Sequence, residues 1–388
     1  MKVTSANIYL IKGGPITPVI LELTTDEGVT GIGEAATAYG LGATASAAMI
    51  KEMVDRDVLG KDAFRIEDIW NELYDQSFWT KGGGAISFAA VSAIEQALWD
   101  IKGKAVGLPL YDFLGGKTHE SVPVYANGWN YESYTALDWA RDSERPLKAG
   151  YRSLKCYPLA TRQPGGTLRH VTRRALDRDF CNLAYERVKE LRNAVGPDVE
   201  ILLDLSGGLT TDETIRLARR YEDLGIGWLE EPADAFHEDA IKKISDAVNI
   251  PIAAGERVYT TRGFRRIIDM QAIDIVQPDI GNTGGLLETK KIAAMAEANN
   301  LRVAPHNCAS SLSTAATLQL SACLTNLVNV EIYPYFLDEP GYVQVLENPP
   351  ELRIRDGRLT VLNDAGLGAT LAADRIKPYL WAQCELSK

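Results

Sequence analysis

At 388 residues the chain exceeds the size one hydrophobic core usually serves, so a large domain with a smaller companion is expected. Its composition, 46% hydrophobic and 24% charged, is that of an ordinary globular protein. The net charge of −11 argues against a general nucleic-acid binder, which would carry a basic face. No apolar run approaches the roughly 20 residues of a membrane span. The five scattered cysteines lack a CxxC pair and suit reduced thiols better than a disulfide framework or a zinc site. The opening MKVTSANIYLIK alternates like a strand and lacks the apolar stretch of a signal peptide. A cytoplasmic protein with neither nucleic-acid nor membrane partners is expected.

In chain order, the alternation of Val3–Ile11 predicts a strand. The run PVILELTTDEGVTGIGEA then predicts a hairpin about Asp26-Glu27-Gly28. From about 41 to 112 the pattern turns helical, most clearly in SFAAVSAIEQALWDIKGKA, whose apolar positions recur at three and four residues. Gly115-Gly116 breaks it, which predicts an α+β domain over residues 1–118. Eight strand candidates follow, at 122–127, 151–157, 199–205, 226–231, 250–256, 273–279, 301–306 and 327–332, with helical stretches between most of them. So even an alternation predicts a (β/α)8 barrel over 119–332 rather than a doubly wound sheet. The tail, 333–388, contains a strand pair around Asp356-Gly357 and is expected to fold back onto the N-terminal domain.

All but the first of these strands end in an ionisable residue: Lys155 and Tyr157, Asp204, Glu230, Glu256, Asp279, His306 and Glu331. From Asp204 onward the steps are 26, 26, 23, 27 and 25 residues, the length of one βα unit, so each residue takes an equivalent place. In a barrel that place is the C-terminal mouth, where active sites sit. Charged residues disfavour strands, and Asp204, Glu230 and Glu256 converging from adjacent strands would repel one another. A divalent cation resolves the repulsion, and an all-oxygen set selects Mg²⁺ or Mn²⁺ rather than zinc. Glu231 alternates away from this cluster. Asp279 and His306 lie on adjacent strands, an arrangement in which a carboxylate orients an imidazole as a base. Lys155 and Tyr157, two apart, share one face of their strand while Cys156 takes the other.

These residues resemble the enolase superfamily, mandelate racemase subgroup, and within it the galactonate-dehydratase-like acid-sugar dehydratases. The resemblance spans essentially the whole chain: SAIEQALWDIKGKAVGLPLYDFLGG, DLSGG, WLEEP, GER, QPDIGNTGG, APHN and VEIYP. It implies an N-terminal capping domain completed by the C-terminal tail. It implies Asp204, Glu230 and Glu256 as Mg²⁺ ligands, Asp279 and His306 as the general-base dyad, Lys155 as the lysine of the second strand, and Glu331 as the acid bonding the substrate carboxylate. Two departures stand out. Tyr157 replaces the second lysine of a racemase-type Lys-x-Lys, which lowers the expectation of racemisation. Ser206 stands where galactonate-type members carry a histidine, so the acid for the leaving hydroxyl has to come from elsewhere.

The expected reaction is loss of the α-proton of a sugar acid through a metal-stabilised enediolate, then elimination of the 3-hydroxyl to a 2-keto-3-deoxy acid. The handling of such α-protons by a lysine or histidine beside Mg²⁺ is a general feature of enolase-superfamily sites. His306 takes the proton, Lys155 and Glu331 steady the oxyanion, and His306 or Tyr157 protonates the leaving group. The alternatives are a racemase, epimerase or cycloisomerase of the same subgroup, or a non-catalytic sugar-acid-binding barrel. The partner is a small anionic sugar acid, and a homo-oligomer is expected. Finally, Tyr157 to Asp204 spans 47 residues, and the surplus falls in 159–179, which carries Arg162, Arg169, His170, Arg173, Arg174 and Arg178. This segment is expected to form a lid, with Arg162, Arg169 or His170 touching the distal end of the substrate.

Overall fold

The computed structural model describes residues 1–162, 168–170 and 176–386. Strands β1 (Val3–Leu10), β2 (Val19–Thr25) and β3 (Thr30–Ala35) form an antiparallel meander through the expected hairpin. The helix Ala85–Val106, buried on most of its circumference, lies against β3. Glycine makes that approach possible: a Cβ on Gly33 would stand 2.1 Å from the Ala93 carbonyl oxygen.

The barrel begins with β4 (Ser121–Ala126) and β5 (Ser153–Cys156). A small antiparallel hairpin, β6 (Ala160–Arg162) and β7 (Leu168–His170), interrupts it. It continues through β8 (Glu200–Asp204), β9 (Ile226–Glu230), β10 (Ile252–Ala254), β11 (Ile275–Val276), β12 (Arg302–Val303) and β13 (Val330–Ile332). The eight strands other than β6 and β7 pair in parallel in chain order. β13 pairs with β4, and a bridge between Val303 and Leu327 links the last two strands, closing the ring. Its interior holds Tyr125, Leu202, Trp228, Ala253 and Ile275 from five of the strands, with Ala304 just past a sixth. Asp204 and Glu230 stand two residues beyond Leu202 and Trp228 on the same faces, and so one layer nearer the mouth.

The tail differs from expectation in part. The strand pair around Asp356-Gly357, β14 (Ile354–Arg355) and β15 (Arg358–Thr360), adds antiparallel to β4 of the barrel, not to the N-terminal sheet. The segment that returns is β16 (Leu380–Glu385), which pairs antiparallel with β1. A free hairpin offers a paired edge to whichever sheet lies beside it, and here the barrel's first strand is nearer.

Two buried carboxylates tie the N-terminal domain to the barrel. Glu34 on β3 accepts from the Ser310 amide at 3.0 Å, the Ser310 hydroxyl at 2.6 Å and the Ser313 amide at 3.0 Å, at the N-terminus of the helix Ser311–Ser321. Glu95 does the same for the helix Leu286–Ala298, accepting from the Leu286 and Leu287 amides at 2.8 and 2.9 Å. Each satisfies backbone donors that no intrahelical partner reaches. The two loops held this way lead directly from Asp279 and His306. Among the described residues no helix is long and apolar enough to cross a membrane.

Candidate active site

A cavity of about 470 Å³ opens at the barrel mouth. Its walls include Lys155, Tyr157, His170, Asp204, Glu256 and His306. The N-terminal domain closes it from above with Thr37, Tyr39 and Leu41.

On one side the imidazole of His306 meets Asp279 at 2.7 Å through Nδ1. The pairing follows from register, because Asp279 and His306 bridge each other just past β11 and β12. Nε2 of the same ring faces Glu256 at 3.1 Å and Glu331 at 3.8 Å. Burial works against a charged imidazole, yet Glu256, Glu331 and Asp279 together hold His306 up to about 10.

In the middle, Lys155 is 1% exposed and flanked by three carboxylates. It contacts Glu230, meets Glu331 at 3.1 Å and lies 3.7 Å from Asp204. Burial lowers its basicity, but Glu230 and Glu331 outweigh that and keep it charged. Glu230 also accepts from Gln277 at 2.9 Å and the Trp228 indole at 3.1 Å. Glu256 pairs with Arg257 at 2.7 Å, and although burial opposes ionisation, Arg257 and His306 hold its carboxyl down to about 2. Glu231, buried and left-handed at φ 45°, turns to Arg257 and the Gly255 amide, away from Glu230.

The sequence-level candidates therefore gather in one place: Lys155, Tyr157, Asp204, Glu230, Glu256, Asp279, His306 and Glu331. Among the described residues no three Asp, Glu, His or Cys side chains stand at metal-ligating spacing. In this arrangement Glu230 is turned to Lys155, and Glu256 to Arg257 and His306. The donor chemistry nonetheless fits a hard cation: three anionic oxygen donors follow three consecutive parallel strands, with Asp204 and Glu230 in direct register.

Of the lid candidates, His170 lines the cavity, its ring edge-on to Tyr157 at 5.2 Å and its Nδ1 3.2 Å from the Ser206 hydroxyl. Arg169 is exposed and is not part of the wall. Arg173, Arg174 and the side chain of Arg162 lie outside the described residues.

Sequence reasoning missed Asn127 and Arg257. The Asn127 amide nitrogen stands 2.6 Å from Glu331, 2.7 Å from the Tyr157 hydroxyl and 2.9 Å from the Tyr333 hydroxyl. With two hydrogens for three acceptors it fixes that corner of the cavity. Its signal was available: Asn127 follows the first barrel strand, the one position in the series without an ionisable residue. Arg257 follows Glu256 directly and bridges it to Glu231.

Residues 138–375 match the family described as enolase C-terminal domain-like, and residues 15–115 match the mandelate racemase / muconate lactonizing enzyme N-terminal domain. The chain is 32% identical to a D-galactonate dehydratase of Variovorax paradoxus, over 97% of this chain and 94% of that one. It is 31% identical to a D-xylonate dehydratase of Haloferax volcanii, over 93% and 85% respectively. A crystal structure from Mesorhizobium loti, provisionally named a dehydratase, superposes with a TM-score of 0.95 at 55% identity, covering 99% of this chain and all of that one. A Salmonella Typhimurium structure described as an enolase-superfamily member reaches 0.93 at 32% identity, covering 100% of both chains.

Proposed function

The chain belongs to the enolase superfamily, mandelate racemase subgroup, and from that premise we propose a Mg²⁺-dependent dehydratase that converts an aldonate or aldarate to a 2-keto-3-deoxy acid. Relatives named for galactonate, xylonate, arabinonate and gluconate dehydration support a sugar-acid hydro-lyase. The observation that carries the mechanism is the Asp279–His306 pair, 2.7 Å apart, opening into the same cavity as Lys155.

Asp204, Glu230 and Glu256 would hold Mg²⁺, which supplies positive charge against which the charge of the substrate carboxylate can grow. Lys155 and the Asn127–Glu331 corner orient that carboxylate by charge and hydrogen bonding. Asp279 fixes the Nδ1–H tautomer of His306, and with Glu256 turned from the ring to the cation, Nε2 would be free to accept the α-proton. Racemisation would need a second base across the α-carbon. Tyr157 is a poor one, because burial and neighbouring Tyr131 push its hydroxyl well above the ordinary tyrosine value. The test is a panel of aldonates and aldarates scored for 2-keto acid. Product from at least one member supports the dehydratase, whereas α-deuterium wash-in without water loss across the panel would make it an isomerase.

A further inference from the structure

Elimination of a 3-hydroxyl needs a proton donor for the leaving oxygen, and Ser206 stands where a histidine would be expected. We infer that His170, reaching in from the β6–β7 hairpin onto Ser206, is the general acid that protonates the departing hydroxyl. The inference rests on the dehydratase reading.

Hydrogen-bond direction carries the first part. Ser206 is left-handed, φ 52°, and its amide and hydroxyl both point to one oxygen of Asp204, at 2.7 and 3.0 Å. The single hydroxyl proton is therefore given to Asp204, so toward His170, 3.2 Å away, the oxygen can only accept. Nδ1 of His170 is then the donor, and a carboxylate stands at the far end of a two-bond relay. This is the Asp279–His306 arrangement lengthened by one hydroxyl. The Nδ1 proton is directed to a carboxylate in His306 and to a serine hydroxyl in His170, so in either charged ring the transferable proton is the one on Nε2.

Strand order carries the second part. Ser206 follows the third barrel strand and His306 the seventh. Four steps round an eight-stranded ring put the two on opposite walls. Of the four histidines in the chain, only His170 and His306 line this cavity. A substrate whose α-carbon faces His306 can present its 3-hydroxyl to the other wall, so that proton and hydroxyl leave from opposite faces of the C2–C3 bond.

The step balances. His306 accepts the C2 proton and that electron pair becomes the C2–C3 double bond. The C3–O bond breaks with its pair on oxygen, and the proton of His170 completes a water molecule. Neutral His170 recovers a proton from solvent, and the enol gains one at C3 as it becomes the ketone. Tyr157 is left as a wall, its hydroxyl engaged by Asn127.

The test uses the full chain with Mg²⁺, an aldonate that the native protein dehydrates, and the 3-deoxy-3-fluoro analogue of that aldonate. Fluoride leaves without a proton. His170→Asn should lower kcat on the hydroxy acid by roughly 10²–10⁴-fold, leave C2 deuterium exchange into recovered substrate intact, and release fluoride from the analogue within about threefold of the native rate. Equal losses on both substrates would make His170 a structural residue, and native-rate dehydration would make His306 its own acid. Either result overturns the inference while the dehydratase reading stands. That reading fails separately if the native protein forms no 2-keto acid from any aldonate or aldarate.

Discussion

Two groups of buried carboxylates stand within one molecule and are satisfied in opposite ways. Glu34 and Glu95, between the domains, accept only from neutral donors: backbone amides, a serine hydroxyl and the Trp99 indole. Glu230, Glu256 and Glu331, at the barrel mouth, face Lys155, Arg257 and His306. The first group closes helix ends and has no use for a mobile charge. The second is an array of charges of both signs lining a cavity, the setting in which strongly perturbed titratable groups gather. Glutamate in a buried position is thus not informative by itself. What each group faces, neutral donors in the first and cations in the second, sets these two groups apart.

The comparison breaks most sharply at His306. His306→Asn should lower kcat for 2-keto acid formation by roughly 10²–10⁴-fold with KM little changed, because the imidazole acts on proton transfer. Lys155→Ala, at the centre of the charged array, strips the cation from Glu230 and Glu331 and should cost about 3–5 kcal/mol in denaturant unfolding without added Mg²⁺. Glu34→Ala, at the neutral site, leaves the Ser310 and Ser313 donors without their acceptor. It should cost about 1–3 kcal/mol and change kcat far less than His306→Asn does. Equal kinetic losses at Glu34 and His306 would erase the distinction between the two groups.

The smallest effect is one of pH. Burial pushes Glu34 and Glu95 up to about 7, against the pull of their hydrogen-bond donors, from an ordinary 4.5. Between those values the folded chain holds protons that the unfolded chain has lost. The stability from these two groups is therefore full below about 4.5 and declines as pH rises through about 7. Glu34→Gln lacks its share of that slope, so the excess stability of the native chain over the variant should shrink between pH 5 and 7.5. A constant difference in unfolding free energy across that interval would mean that Glu34 stays ionised throughout.

Much of this is legible in the sequence alone. The eight barrel strands and the residues at their ends were legible because one βα unit has a nearly fixed length, so a periodic charge marks a periodic place. Asp279 and His306 were legible as neighbours because their strands are consecutive and parallel. The roles of Glu34 and Glu95 were not: their partners are amides about 190 or more residues away, and an amide carries no letter in a sequence. The tail hairpin was legible as a strand pair, but strand patterning does not say which sheet edge receives it. His170 stood out only as one cationic residue among several, until Ser206 gave it an orientation.

The most direct test of the account follows 2-keto acid release from the aldonate and aldarate panel by one preparation, first with Mg²⁺, then after exhaustive chelation, then with Mg²⁺ restored. The account predicts release, loss and recovery, with unfolding free energy showing that the chelated chain is still folded. Undiminished release after chelation, or no release from any sugar acid with Mg²⁺ present, would contradict it.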